Sequence, residues 1–156
     1  IASFAFTMNK GETSVRISTK VIDGTFPAYD RVIPAGEQDK RVQVKRGELA
    51  QAVRLIGATT TGRTKAVRLH FDPAQERLAV EAVDVEDILS AAVWIPARTN
   101  VKEPFTVVVN GRYLADICEV SAGEDLMLET MDSGALARIT SLEDAAFRTV
   151  LMPMRV

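Results

Sequence analysis

The 156-residue chain predicts an α+β fold built from a tandem βαβββ unit. From residue 41, "RVQVKRGELAQAVRLI" gives strand alternation at Val42 and Val44, then Gly47, then helix-spaced Leu49, Ala52, Val53 and Ile56. Sixty-four residues later "TVVVNGRYLADICEV" repeats the pattern. Thr106 and Val108 stand for Val42 and Val44, Gly111 for Gly47, and Tyr113, Ile117 and Val120 for Leu49, Val53 and Ile56. Each helix is followed by three strand-like runs: "AVRLHF", "RLAVEAV" and "DILSAAVWI", then "DLMLETM", "ALARIT" and "FRTVLM". Neither half covers its own apolar face, so the halves are expected to pack as a pseudo-twofold pair, antiparallel strands under helices.

Ahead of the duplication, "SFAFTMNKGETSVRIST" alternates at Phe4, Phe6, Met8, Val15 and Ile17 around Asn9-Lys10-Gly11-Glu12, which predicts a β-hairpin. Residues 23 to 40 are rich in Gly, Pro and Asp and read as a linker, with Phe26-Pro27 and Val32-Ile33 as anchors and a domain boundary inside it. The chain closes on "LMPMRV", an apolar ending where a frayed polar one is usual.

A hydrophobic content of 47% is ample for a core, and 26% charged residues with no long apolar run leave no membrane span or export leader in view. One cysteine, Cys118, excludes an internal disulfide framework and fits a reducing compartment, so the cytoplasm is expected. The first residue is Ile1, not methionine, which suggests a processed or truncated chain. The net charge of -2 is uneven: between Lys40 and Arg68 eight basic residues face Glu48 alone, a net +7, leaving -9 elsewhere. Such a distribution suits contact with a polyanion on one face, although a solvated helix face with its loops gives the same pattern.

No catalytic set emerges. "GATTTGRT" (57 to 64) approaches a phosphate-binding loop, but Arg63 replaces its lysine and it leads from helix to strand, the reverse of the required order. His70 sits in "VRLHF" beside core positions, Cys118 lies in an apolar-periodic helix, and the carboxylates lack metal-ligand spacing. No cofactor or metal is implied. Arg54, on the helix face opposite Leu49, Val53 and Ile56, with Arg63 and Lys65 at the helix end, could meet phosphates; the second helix offers Arg112 but also Asp116 and Glu119. Without interleaved aromatics such contact would be blind to base sequence and sensitive to salt. From these residues alone, a stand-alone nucleic-acid-binding domain is the alternative reading.

Three stretches carry a family resemblance: "KVIDGTFPAYDRVIP" (20 to 34), "FTVVVNGRYLADICEV" (105 to 120) and "VLMPMRV" (150 to 156). In order and separation they resemble the C-terminal portion of the bacterial sliding clamp, the beta subunit of DNA polymerase III. The resemblance implies that residues 1–33 are the end of a middle domain with its connector and residues 34–156 a third domain. It implies a non-catalytic processivity factor whose full-length homodimer rings duplex DNA, helices inside, and which recruits polymerase, clamp loader and repair polymerases through short peptides; a chain lacking the first domain should not close a ring. By the same resemblance Pro27, Arg31, Val32, Val150, Met152, Pro153, Met154 and Arg155 line the peptide pocket, with Asn110 and Tyr113 at its mouth. On that resemblance Arg54, Arg63, Lys65 and Arg112 would face DNA. Glu86 and Asp87 lie at the ring contact, although Ala58-Thr59 stands where the family has an apolar pair, and Val156 where leucine is common.

Overall fold

The computed structural model describes residues 3–11, 13–36, 38–59, 65–83 and 91–155. It comprises two compact units that divide between Asp30 and Arg31. In the first, β1 (Ser3–Lys10) and β2 (Thr13–Lys20) form the expected antiparallel hairpin, with Lys10 opposite Thr13 and Gly11 at φ +58°, the left-handed region a tight turn favours. Two strands cannot bury a face, and Met8, Val15 and Ile17 stay exposed; the side chains of Phe4 and Phe6 are not among the described ones. The linker makes one short 3-10 turn at Tyr29–Arg31, where the Tyr29 N–H donates to the Pro27 carbonyl (2.8 Å) and the Tyr29 ring meets Phe26 edge-on.

The second unit is βαβββ twice over: β3 (Lys40–Lys45), α1 (Arg46–Thr59), β4 (Ala66–Asp72), β5 (Arg77–Ala82), β6 (Ala92–Thr99), then β7 (Phe105–Asn110), α2 (Gly111–Val120), β8 (Asp125–Thr130), β9 (Ala137–Ser141) and β10 (Arg148–Leu151). Of the run "DILSAAVWI" (87 to 95), only the part from residue 91 is described. The eight strands form one antiparallel sheet in the order β10-β9-β8-β3-β6-β5-β4-β7. Helix α1 buries Leu49, Ala52, Val53 and Ile56, the four positions its periodicity selects, and its last turn is held by Thr59 Oγ1 donating to the Ile56 carbonyl (2.8 Å).

The halves interlock by exchanging strands. β3 pairs with β8 of the other half, and β7 with β4. The first helical residues repeat the exchange: the Arg46 N–H donates to the Glu124 carbonyl and the Gly111 N–H to the Lys65 carbonyl, both 2.8 Å. Leu49, Ile56, Leu114, Leu126 and Ile139 are fully buried in the resulting common core.

This symmetry corrects the repeat offset, which is sixty-five residues. Val107 and Val109, not Thr106 and Val108, match Val42 and Val44 in facing the core, and Leu114 and Cys118 match Leu49 and Val53. Tyr113 and Val120, expected to pack like Leu49 and Ile56, are 59% and 71% exposed, and Ile117 is half-buried. Aligning the two glycines caused the slip. In a strand a one-residue shift moves every side chain to the opposite face, and Gly111 in fact stands where Arg46 stands, as the first helical residue.

Gly111 has its own requirement: a Cβ there would lie 2.8 Å from Val67 Cγ1 and 3.0 Å from the Lys65 carbonyl oxygen, whereas at Gly47 it would meet open space. Urea denaturation should therefore show Gly111→Ala losing roughly 1–3 kcal/mol. Gly47→Ala should be neutral or gain up to about 1 kcal/mol. Equal effects at the two sites would contradict the close approach.

Candidate functional site

The chain's end is tied down. Val150 is half-buried in β10 and Leu151 completes that strand as a buried core residue. Met152 is 63% exposed, Pro153 and Met154 are half-buried, and Arg155 is exposed. The Met154 N–H donates to the Val108 carbonyl on β7 at 2.7 Å. β10 and β7 are opposite edges of the sheet, which in a flat sheet of eight strands would lie about 34 Å apart. Three residues beyond Leu151 can span at most roughly 11 Å. The sheet is therefore rolled until its edges approach, and the tail bridges them. In the interior Leu151, Leu69, Phe71, Val107 and Leu128, with Glu129 and Thr130 at the wall, surround a small cavity of about 20 Å³, close to the size of one water.

The tail's partner, Val108, thus sits three residues before the start of α2. There the Asn110 side chain is an N-cap, its Oδ1 accepting from the N–H groups of Arg112 (2.9 Å) and Tyr113 (3.3 Å), and the Tyr113 ring projects into solvent. On the other side of β10, Val150 lies directly across from Arg138 of β9. The Arg138 guanidinium makes a two-pronged pair with Glu129 (2.9 and 3.1 Å), and its third nitrogen donates to the Pro34 carbonyl at 2.9 Å. Pro34 follows Val32 by two residues, and Val32 and Arg31 are exposed. Arg31, Val32, Val150, Met152, Pro153, Met154 and Arg155 therefore belong to one unit, with Asn110 and Tyr113 close in sequence to the tail's anchor. Pro27 is an exposed residue of the other unit. Sequence reasoning missed Arg138 and Glu129, which occupy ordinary polar slots of alternating strands and carry no motif.

The basic stretch is distributed over several tasks. Lys45 bonds Asp125 (2.9 Å) and lies 3.5 Å from Glu124; the hydrogen bond to Lys45 holds the Asp125 carboxyl below its ordinary range, and the same bond raises the lysine. Arg46 caps the C-terminal end of α2, donating to the carbonyls of Gly123 (2.6 Å) and Cys118 (3.1 Å), where helix polarity favours a cation. Lys40 reaches the Met131 carbonyl, and Arg68 lies 3.9 Å from Glu81. Arg54, Lys65 and Arg112 are exposed, Lys65 at φ +47°. Arg63, Glu86 and Asp87 lie outside the described residues, as does much of "GATTTGRT". His70 is half-buried, its Nδ1 3.1 Å from Thr106 Oγ1 and its ring edge-on to Trp94, over whose face Arg77 stacks at 3.8 Å. Among the described residues no group of three or more His, Cys, Asp or Glu could hold a metal ion, and no helix is long and apolar enough to cross a membrane.

Part of β6 is paired on one side only among the described residues. Ala92–Pro96 of β6 pair with β5, but β3 takes up β6 only from Ala97. Beside that stretch Gln51 and Leu55 of α1 with Val93, Trp94 and Pro96 line a surface groove of about 290 Å³. No sequence feature had singled out Leu55 or Trp94.

Comparison with known proteins decides the family. Residues 30–155 match the family described as "DNA polymerase III beta subunit, C-terminal domain". The chain belongs to the DNA polymerase III beta subunit family. It is 30% identical over 140 residues to the beta sliding clamp of Caulobacter vibrioides and 28% to that of Synechococcus elongatus, covering 90% of this chain and 36% of each relative. Among solved structures, the sliding clamp of Bartonella birtlesii bound to griselimycin superposes with a TM-score of 0.79 at 30% identity, over 97% of this chain and 39% of that one. The Pseudomonas aeruginosa beta subunit superposes at 0.80 and 26% identity, over 96% and 39%. The chain thus spans a little over a third of the length of these relatives. The family is one of non-catalytic polymerase subunits, and the α+β clamp-domain architecture expected from the sequence holds.

Cys118 provides a chemical check on α2. Burial pushes its thiol up to about 11, against the opposing influence of Arg46 and Arg54. At pH 8 the folded protein should react with an alkylating reagent on the order of a hundredfold more slowly than a free thiol. Because the folded value lies above the unfolded one, the stability tied to this group is complete below about pH 9 and is lost as pH rises to about 11. Denaturation of Cys118→Ala across that range should lack this component.

Proposed function

We propose that this chain is the C-terminal part of a DNA replication processivity factor, and that its tail and connector form a groove for short peptide motifs of polymerase, clamp-loader and repair proteins. The observation that carries the reading is the Met154–Val108 backbone bond. It converts an apolar end into a fixed wall, with Met152 exposed and Pro153 and Met154 half-buried beside it. Methionine is flexible and polarizable, so such a wall can repack around different apolar anchors. Arg31 and Arg155 would meet peptide carboxylates or carbonyls, Pro27 and Val32 would add the connector's side, and Tyr113 would flank the mouth.

In the full-length protein two such subunits would ring duplex DNA, with Arg54, Arg63, Lys65 and Arg112 on the helix side facing phosphates without reading sequence. The singly paired part of β6, with Leu55 and Trp94, supports ring contact on that side, close in sequence to Glu86 and Asp87. Residues 1–33 would be the remnant of the middle domain and its connector, and residues 34–156 the third domain. The chain by itself would leave the ring open, and a cytoplasmic setting suits the role. The distribution of the basic stretch favours this reading over a stand-alone nucleic-acid-binding domain, since Lys45, Arg46 and Arg68 face carboxylates or carbonyls.

Titration of a Gln-Leu-Phe-type clamp-binding pentapeptide should show saturable binding that Met152→Ala weakens by about tenfold, in line with roughly 1.4 kcal/mol for one well-seated side chain, and that Arg54→Ala leaves unchanged. No saturation, or indifference to Met152, would overturn the groove. Linear duplex should bind this chain weakly in the same buffer. Tight binding with a steep salt slope would instead support the direct nucleic-acid-binding alternative.

A further inference from the structure

The Arg138–Glu129 pair lies directly across β9 and β8, and its guanidinium also reaches beyond the sheet. Its side chains are only 17% and 9% exposed, and Glu129 is among the residues at the wall of the small interior cavity that Leu151 also lines. Both Glu129 oxygens accept from Arg138, so the guanidinium is fixed in plane and the remaining nitrogen points to one place, the Pro34 carbonyl 104 residues away in sequence. Arg138 faces Val150 across β9 and β10. One side chain therefore fastens the connector's end to β9, the strand that pairs with the one from which the tail departs. Pro34 suits this purpose, because its ring fixes φ and the grip on its carbonyl carries back to Ile33 and Val32.

We propose that Arg138 is a positioning residue for the peptide groove, with Glu129 orienting it: by holding Pro34 it sets Arg31 and Val32 at a fixed place relative to Val150 and the tail before any peptide arrives. The proposal rests on the groove reading above. Binding to a wall already in place avoids the cost of ordering it, so losing the clamp lowers affinity without removing any atom that touches the peptide.

The test separates positioning from stability by crossing the two in the full 156-residue chain. Glu129→Gln keeps one acceptor for the guanidinium and the Pro34 bond but removes the counter-charge; it should lower the melting temperature most of the set yet weaken pentapeptide binding by only about two- to threefold, less than the double variant does. Arg138→Met with Glu129→Leu removes both charges, which a packed apolar pair commonly tolerates. It should melt near the unsubstituted chain yet bind the peptide about 5- to 10-fold more weakly, with faster amide exchange at Arg31 to Ile33. Arg138→Lys, whose single ammonium cannot fork Glu129 and reach Pro34 together, should also weaken binding and serves if the double variant does not fold. Affinity that merely follows melting temperature across the set, or unchanged affinity and exchange in the double and lysine variants, would overturn the proposal. If the unsubstituted chain shows no saturable binding, the groove itself fails, and the exchange rates of residues 31 to 33 still decide whether Arg138 holds the segment.

Discussion

A single backbone hydrogen bond, from Met154 to Val108, completes a pattern that governs the whole duplicated unit. In the first half β3 lies between a strand of its own half, β6, and one of the other, β8. In the second half β7 has its foreign partner, β4, and the place of its own last strand falls to the tail. Gln43 pairs with Arg98, and Val108, sixty-five residues after Gln43, takes Met154. Pro153, which lacks an N–H, cannot continue a ladder, so the pairing contracts to one bond and the neighbouring side chains remain available. The same chain end is thereby both structural, through Leu151, and exposed, through Met152.

Charge follows the same division of labour. Several basic residues do structural work: Arg46 closes the end of α2, Lys45 meets Asp125, and Arg138 joins Glu129 and Pro34. Arginines within the helices, Arg54 and Arg112, stay exposed. A basic stretch counted along the chain therefore overstates the cationic surface any single partner would meet.

Much of this was legible beforehand. Helix α1 showed its four buried positions because an amphipathic helix on a sheet exposes its periodicity directly. The strand runs were marked by alternation and punctuated by Gly, Pro and Asp. The register of the repeat was not, because two glycines with different roles invited alignment: Gly47 stands in open space and Gly111 against Val67. The exposure of Tyr113 follows from that single residue of offset. In the candidate site, Val150 to Arg155 were visible as an apolar ending that needed a purpose. The Arg138 anchor was invisible, because a pairing across 104 residues leaves no local pattern. Likewise the singly paired part of β6 reflects where β3 stops pairing, which strand topology decides and side-chain pattern does not.

The tail is held as a fixed wall, and amide exchange at Met154 measures this most directly. A bonded N–H bridging two sheet edges should exchange at least about tenfold more slowly than in an unstructured peptide of the same sequence, and Val108→Pro should leave the acceptor carbonyl in place yet disturb β7 and speed that exchange. Exchange of Met154 at the unstructured rate in the unsubstituted protein would contradict the account.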